Sequence, residues 1–120
     1  MLNDYTHMSQ EETVFLIVRG KVQEVLFRKT LVLAGHNHGV QVGGTNSKDD
    51  KNRVDVTVRG PADKIEELIH ALGPNKKLNS VGAEIESIER VAEGIAVEDH
   101  ITHTRQFETL RFPTGVEFFV

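Results

Sequence analysis

The stretch GKVQEVLFR at residues 20–28 joins two segments whose side-chain periodicities differ. Residues 13–20 alternate at a period of two, which predicts a β-strand with at least one buried face. From residue 27 to residue 38, apolar side chains recur at helical spacing. The quoted stretch is therefore predicted to be a turn that leads from a strand into a helix.

A turn of this kind directs several unpaired backbone N–H groups toward one point, which is the geometry of an anion site. Arg28 falls in the first helical turn, where the helix dipole disfavours a cation by about 0.3–1 kcal/mol unless an anion lies nearby. Lys29 adds a second positive charge there. The alternative is that both side chains extend into solvent. We interpret the whole pattern as an anion-binding turn.

The motif Gly-Lys-Val-Gln-x-Val-x-Phe-Arg at residues 20–28 resembles the signature of the acylphosphatase family. A second block, GVQVGGTN at residues 39–46, places its glycine and asparagine as in the family's pattern Gly-Leu-x-Gly-aromatic-Val-x-Asn. Arg28 and Asn46 are 18 residues apart, which is the usual interval in that family. The resemblance covers roughly residues 13–112.

This resemblance implies an enzyme that hydrolyses acyl phosphates to a carboxylate and inorganic phosphate, with no cofactor and no metal. Arg28 would grip the phosphoryl group, and Asn46, which has no basic lone pair at neutral pH, would orient the attacking water. Gly20 would let the end of the strand bend and so support the loop. A phosphate or sulfate ion would be held by the backbone amides of five loop residues, namely Gln23, Glu24, Val25, Leu26 and Phe27.

The sequence departs from the family's pattern at three places. Glu24 stands where many members have glycine, and a left-handed backbone there costs about 1–2 kcal/mol; we expect its side chain to face solvent. Gly43 and Gly44 replace an aromatic residue and a valine, and are expected to hold Asn46 less firmly. The turn after Asn46 is also longer than usual. The alternative is therefore a weak or inactive relative that binds phosphate or a protein.

The order of the predicted elements is βαββαβ, followed by a short extra strand. This order indicates an α+β fold, the ferredoxin-like sandwich, with an antiparallel sheet and two helices on one face. Gly39 suits the left-handed position that ends the first helix, and Pro61 suits the first position of the second helix. A slip in apolar parity between Ile85 and Ile88 predicts a β-bulge. Further strands are predicted near residues 40–46, 54–58, 81–91 and 107–112, and the second helix over residues 61–72.

We divide the chain into a flexible N-terminal tail (residues 1–12), an acylphosphatase-like domain (residues 13–112) and a C-terminal extension (residues 113–120). The extension ends in the apolar stretch VEFFV at residues 116–120. Such a stretch can add to its own domain as an edge strand or dock on a neighbouring chain. We expect it to dock on its own domain, and we expect a monomer.

Composition excludes several classes of protein. The 120 residues suit one globular domain, with 38% hydrophobic and 27% charged residues. A net charge of −4 argues against a nucleic-acid partner, and the third strand lacks the exposed aromatics of an RNA-binding sheet of the same element order. No apolar run is long enough to span a membrane, and the polar, acidic start is not a signal peptide. Together with the absence of cysteine, these features lead us to expect a cytoplasmic protein.

Two histidine pairs have spacings that occur in metal sites. They are His36 with His38, and His100 with His103. Neither pair has a matched third ligand in the sequence. We therefore expect these histidines to be solvated and predict no metal site.

Overall fold

The computed structural model describes residues 10–120. This part of the chain contains a five-stranded antiparallel sheet and two α-helices. The strand order across the sheet is β4-β1-β3-β2-β5. This is the predicted α+β, ferredoxin-like arrangement with an additional short strand. The elements in chain order are β1 (Glu11–Lys21), α1 (Phe27–His38), β2 (Gln41–Asn46), β3 (Arg53–Pro61), α2 (Ala62–Leu72), β4 (Glu84–Val91) and β5 (Thr102–His103).

One hydrophobic core lies between the helices and the sheet. The apolar stripe of α2 consists of Ile65, Leu68 and Leu72, at positions i, i+3 and i+7, and all three side chains are fully buried. Alternate valines of β3 are buried on the same core. Burial of these side chains fixes the register of the central strands, since a slip of one residue would turn them outward.

Helix α1 starts at Phe27 and is ended by Gly39, both as predicted. Gly39 has φ +71°, and its N–H donates to the carbonyl of His36 at 3.3 Å. Leu26 occupies the N-cap position with φ +57° and makes no side-chain capping bond. The first amides of α1 therefore receive no acceptor from the cap residue.

The predicted β-bulge in β4 is confirmed. Arg19 pairs with Ser87 whereas the next residue, Gly20, pairs with Ile85, so that Glu86 is the extra residue. The bulge lies at the end of β1, directly before the turn into α1. A bulge bends its strand and increases the local twist, and here it does so beside the turn that leads into α1.

Three predicted boundaries require correction, the first of which is the start of β4, at Glu84 and not at residue 81. Pro61 ends β3 and is the N-cap of α2, which starts at Ala62. Glu11 and Glu12, assigned to the tail, belong to β1; residues 1–9 of the predicted tail lie outside the described residues.

The last strand was predicted at residues 107–112 but lies at Thr102–His103. The aromatic side chains that suggested a strand make ring contacts instead. Phe107 stacks on His36 with ring centroids 4.0 Å apart, and Phe112 packs edge-on against Phe118 at 5.8 Å. These contacts place the segment over α1, away from the sheet edge.

The C-terminal extension docks on its own domain. The N–H of Phe119 donates to the carbonyl of Leu78 at 2.9 Å, and the N–H of Ser80 donates to the carbonyl of Glu117 at 2.9 Å. Val120 packs against the hydrophobic core. The extension thus pairs with the segment before β4, as one isolated bridge. In the described part of the chain, neither helix combines the length and hydrophobicity needed to cross a bilayer.

Candidate active site

The turn between β1 and α1 has a strained backbone at two residues. Glu24 has φ +65° and Leu26 has φ +57°, values that side chains other than glycine rarely adopt. Each costs about 1–2 kcal/mol relative to an ordinary conformation. Glu24 is exposed, as the sequence predicted, and is one of the residues that line the cavity described below. Strain that persists in a turn must be stabilised by contacts around it.

The amides of this turn are open. Within residues 10–120, no protein acceptor takes a hydrogen bond from the backbone N–H groups of residues 23–28. The carbonyls behave differently: that of Leu26 accepts from the Thr30 N–H at 3.0 Å and from the Thr30 hydroxyl at 2.8 Å. The carbonyl of Val25 also accepts, from Asn79 Nδ2 at 2.8 Å. Two carbonyls at the end of the turn are thus engaged while its N–H donors are available, as an oxyanion requires.

The Gln23 side chain ties the turn to the neighbouring β2–β3 connection. Its Nε2 lies 3.1, 3.0 and 2.8 Å from the carbonyl oxygens of Ser47, Asp50 and Arg53. An NH₂ group has two protons, so two of these three contacts share one donor. Because the side chain is used in this way, only the backbone of Gln23 remains for a ligand.

Gly20 stands where β1 and β4 approach most closely. A Cβ at this residue would lie 2.4 Å from the carbonyl oxygen of Glu84 and 2.7 Å from the amide nitrogen of Glu86. Its φ of +145° also favours glycine. The bulge and the entry into the turn therefore depend on the missing side chain.

A cavity of about 240 Å³ opens in front of the turn. It brings together the two residues that the motifs singled out, Arg28 from α1 and Asn46 from the end of β2. Its walls are largely apolar, and Glu24 and Lys29 are the other charged residues on it. The remaining lining residues are Val22, Leu26, Phe27, Thr102 and Leu110.

Arg28 is half-buried, and its guanidinium makes no ion pair or hydrogen bond within residues 10–120. The aliphatic part of the side chain passes over Gly44, where a Cβ would lie 3.4 Å from Arg28 Cγ. Lys29 differs, because its Nζ donates to the carbonyl of Arg111. An ammonium has three donors, so Lys29 keeps two of them, whereas all the guanidinium donors of Arg28 are without a partner among residues 10–120.

Asn46 has a buried carbonyl oxygen without a partner. Among the described residues, its Oδ1 is the single buried side-chain nitrogen or oxygen atom that makes no hydrogen bond. Leaving such an acceptor unpaired costs about 1–3 kcal/mol. Asn46 is also one of the residues that line the cavity, and an unmade hydrogen bond at such a residue indicates a group that is completed by water or by a ligand.

The two glycines before Asn46 are each explained by a neighbour. A Cβ on Gly43 would lie 2.8 Å from His100 Cβ and from the carbonyl oxygen of Val97, on the sheet face opposite the helices. A Cβ on Gly44 would lie 3.1 Å from Leu31 Cδ1, on the helix face. The space of the missing side chains is therefore occupied by other residues.

His100 is buried on that opposite face in a complete chain of hydrogen bonds. Its Nδ1 lies 2.9 Å from Thr45 Oγ1, and its Nε2 lies 2.7 Å from Thr57 Oγ1, whose hydroxyl donates to the carbonyl of Ile95 at 2.6 Å. Because Thr57 uses its own proton, Nε2 is the donor and Nδ1 accepts from Thr45. Burial lowers the pKa of His100 below its ordinary 6.5 and is the largest cause, opposed by Asp55. The ring is neutral and structural.

The histidine pairs do not meet as ligand sets. His36 stacks on Phe107, and His100 lies between the two threonines. Across residues 10–120, no group of three or more His, Cys, Asp or Glu side chains is arranged to hold a metal ion. His100 and His103 are also buried, and not solvated as predicted.

Sequence analysis did not identify three residues at or behind the cavity. Thr102 and Leu110 reach its wall from the C-terminal part of the chain. Asn79, which is fully buried, donates to the carbonyl of Val25 from behind the turn. Each is distant in sequence from the motifs, and no spacing or periodicity marks it.

Comparison with known proteins shows which family and fold the chain resembles. The family model described as Acylphosphatase matches residues 14–108. No curated protein matches the chain. Among solved structures, a Coxiella burnetii acylphosphatase is similar at 26% identity and a TM-score of 0.54, over 77% of this chain and 88% of that one.

Two further solved structures share the fold. One is the Bacillus subtilis acylphosphatase, with 19% identity and a TM-score of 0.52, over 78% of this chain and 94% of that one. The other is full-length HypF in a phosphate- and nucleotide-bound form, with 19% identity and a TM-score of 0.56, over 78% of this chain but 11% of that one. The family match spans most of the chain, and the fold agrees with it. The chain belongs to the acylphosphatase family.

Proposed function

We propose that the protein hydrolyses acyl phosphates to a carboxylate and inorganic phosphate, without a metal ion. The observation that carries this proposal is that one cavity is lined by Arg28, by Asn46, whose buried Oδ1 is unpaired, and by residues of the turn whose amides are open. The three groups together offer donors for an oxyanion and an acceptor for water. Such a combination suits a phosphoryl group under attack.

Arg28 would bind two phosphoryl oxygens through its planar fork of donors. The amides of residues 23–28 would bind the remaining oxygen and stabilise the negative charge that grows in the transition state. Phosphoryl transfer through a loose transition state depends mainly on such positioning and charge stabilisation. No side chain has to form a covalent intermediate.

Asn46 would hold the attacking water. Its Oδ1 accepts one water proton, which directs the water lone pair at phosphorus. As the new P–O bond forms, the bond to the acyl oxygen breaks and the carboxylate leaves with the bonding electrons. A carboxylate with a pKa of about 4 needs no general acid, and the water proton passes to the phosphate product or to solvent. The apolar walls favour a small uncharged acyl group, and acetyl phosphate is therefore a suitable probe.

The direct test is hydrolysis of acetyl phosphate by the wild type and by Arg28→Ala. We expect turnover by the wild type, unchanged by a chelator, and a fall in kcat/KM of about 10³-fold or more in Arg28→Ala. Arg28→Lys should recover little, because an ammonium cannot bind two oxygens in a fork.

The matched control is Arg53→Ala, since Arg53 pairs with Asp55 at 2.8 Å on the opposite sheet face. Its kcat/KM should stay within about threefold of the wild type, because exposed ion pairs contribute little. Turnover by Arg28→Ala at the wild-type rate would contradict the proposal. A wild type that binds phosphate but turns over no acyl phosphate would instead support the non-catalytic phosphate-binding alternative.

A further inference from the structure

We propose that Asn79 is a positioning residue for the anion-binding turn, and that it keeps the amides of Leu26 and Phe27 directed into the cavity. This inference rests on the proposed function, because it assigns those amides to a phosphoryl group. Asn79 touches no ligand itself. It acts from the buried side of the turn, through the carbonyl of Val25.

Asn79 uses its whole hydrogen-bonding capacity. Its Nδ2 donates to the carbonyl of Val25 at 2.8 Å and to Thr30 Oγ1 at 2.9 Å. Its Oδ1 accepts from the N–H groups of Val81 at 3.0 Å and Ala83 at 3.1 Å. The side chain is fully buried. The amide half of Asn79 therefore serves the turn and α1, whereas the carbonyl half serves the connection that leads into β4.

Because the peptide bond is planar, a bond that fixes the orientation of a carbonyl also fixes the orientation of the next residue's N–H. In a trans peptide, the C=O of one residue and the N–H of the next point in opposite directions. Because Asn79 holds the Val25 carbonyl on the buried side, the Leu26 N–H points to the cavity side. Thr30 does the same one peptide later, because it binds the Leu26 carbonyl and so orients the Phe27 N–H.

Without the bond from Asn79, rotation of the Val25–Leu26 peptide plane would relieve backbone strain. Rotation of the Val25–Leu26 peptide plane changes ψ of Val25 and φ of Leu26 together. Leu26 would leave the left-handed region at φ +57°, which an ordinary side chain avoids, and return to negative φ. The same rotation would point its amide away from the cavity. The bond from Asn79 therefore opposes the relaxation that would dismantle the anion site.

The C-terminal extension braces Asn79 from the other side. The residues on either side of Asn79 are hydrogen-bonded to the extension. The Leu78 carbonyl accepts from the Phe119 N–H, and the Ser80 N–H donates to the Glu117 carbonyl. Asn79 itself forms an isolated bridge with Phe118. Residues beyond the match to the family model thus support the turn through one buried side chain.

The test uses Asn79→Asp, which keeps the oxygen that binds Val81 and Ala83 and replaces the donating NH₂ by an acceptor. We expect its affinity for inorganic phosphate and its kcat/KM for acetyl phosphate to fall by about tenfold or more at temperatures where it is fully folded, because the loop amides are misplaced. The ¹⁵N–¹H signals of Leu26 and Phe27 should shift in the unliganded protein.

Two controls separate positioning from stability. Leu68→Ala removes a fully buried side chain of α2 that does not line the cavity, and it should lower the unfolding midpoint while phosphate affinity stays within about twofold. If Asn79→Asp does not fold, Thr30→Val and Thr30→Ser replace it. The valine variant should reproduce the loss of phosphate affinity, whereas the serine variant, which keeps the hydroxyl, should recover it.

The outcomes are distinct. Reduced phosphate affinity in Asn79→Asp or Thr30→Val, but not in Leu68→Ala or Thr30→Ser, supports the positioning role. Unchanged affinity and kcat/KM in folded Asn79→Asp, with only a lower unfolding midpoint, overturns that role and leaves the proposed function intact. A wild type that neither binds phosphate nor hydrolyses acetyl phosphate overturns both.

Discussion

Both faces of strand β2 carry polar side chains, but a buried acceptor is unpaired on one face, whereas the hydrogen-bonding groups on the other face are paired. On the helix face, Asn46 lines a cavity together with Arg28, and its buried Oδ1 is unpaired. On the opposite face, Thr45 bonds to His100, and His100 bonds to Thr57 in an unbroken chain of donors and acceptors.

This contrast separates function from structure between neighbouring residues of one strand. A satisfied buried network rigidifies the fold, whereas an unpaired buried group costs stability and persists where something else completes it. Histidine is the residue type more often associated with catalysis, yet here the asparagine is the candidate. The state of the hydrogen bonds is more informative than the residue type.

The sharpest test of the contrast compares single substitutions at the two neighbouring residues, Asn46 and Thr45. In Asn46→Ala, kcat for acetyl phosphate should fall by about 10²- to 10³-fold, as on removal of a transition-state contact. The free energy of unfolding should change by less than about 1 kcal/mol, because removal of the unpaired acceptor offsets the packing that the side chain loses. Enzyme kinetics and urea unfolding on the same preparation check both expectations.

Thr45→Val should show the reverse. It removes the donor to His100 and the acceptor of the Ile101 N–H, so that unfolding should become easier by about 1–3 kcal/mol. Its kcat should remain within about threefold. A large loss of kcat in Thr45→Val with none in Asn46→Ala would reverse the assignment of the two faces.

The paired glycines extend the contrast to packing. Gly43→Ala places a Cβ 2.8 Å from the backbone carbonyl of Val97, and we expect it to destabilise the protein by about 1–3 kcal/mol. In Gly44→Ala the tightest contact of the new Cβ is the flexible end of Leu31 at 3.1 Å, so the variant should cost under about 1 kcal/mol. The Cβ would also lie 3.4 Å from Arg28 Cγ and should raise KM by restricting that side chain. Equal unfolding midpoints for the two variants would contradict this account.

Glu24→Gly tests the strain and the charge at the mouth of the cavity. We expect kcat/KM to rise by about two- to fivefold, because a carboxylate near a phosphate repels it by up to about 1 kcal/mol in water. Relief of the left-handed strain, offset by the entropy of glycine, should raise stability by up to about 1 kcal/mol.

Glu24→Gln is the matched control, since it removes the charge and keeps the strained backbone. It should reproduce the gain in kcat/KM without the gain in stability. If kcat/KM is unchanged in both variants, the carboxylate does not oppose the substrate.

The smallest expected effect is a pH dependence that arises from His100. The folded state holds the pKa of His100 below 6.5, so that below this pH the unfolded chain binds a proton that the folded chain does not. Stability should therefore be full above pH 6.5 and decrease as the pH falls below it. Urea unfolding at pH 7.5 and pH 5.5 should show a smaller decrease in His100→Gln; an equal decrease would exclude His100 as its source.

Sequence reasoning predicted the candidate residues on the helix face of β2 but missed the hydrogen-bonded network on the opposite face. The turn, the start of α1 at Phe27 and the strand that carries Asn46 are local features, so periodicity and a short motif predict them. Gly43 was expected to loosen the strand. The structure explains it through His100, which is 57 residues further along the chain, and no local pattern encodes that contact.

The same limit explains the errors at the C-terminal end. Phe107 and Phe112 suggested a strand, but their rings pack on His36 and Phe118, and the sheet edge is completed by Thr102–His103. Leu110 reaches the cavity wall as a consequence of that packing. Contacts of this kind depend on the tertiary structure and override local propensity.

The central claim is tested most directly by titration of the ¹⁵N-labelled protein with inorganic phosphate, followed by NMR. The account predicts saturable shifts of the backbone amides of residues 23–28 and of the Asn46 side-chain amide, while the signals of Thr45, Thr57 and His100 stay in place. Shifts confined to the His100 face, or no saturable shift in the turn, would contradict it.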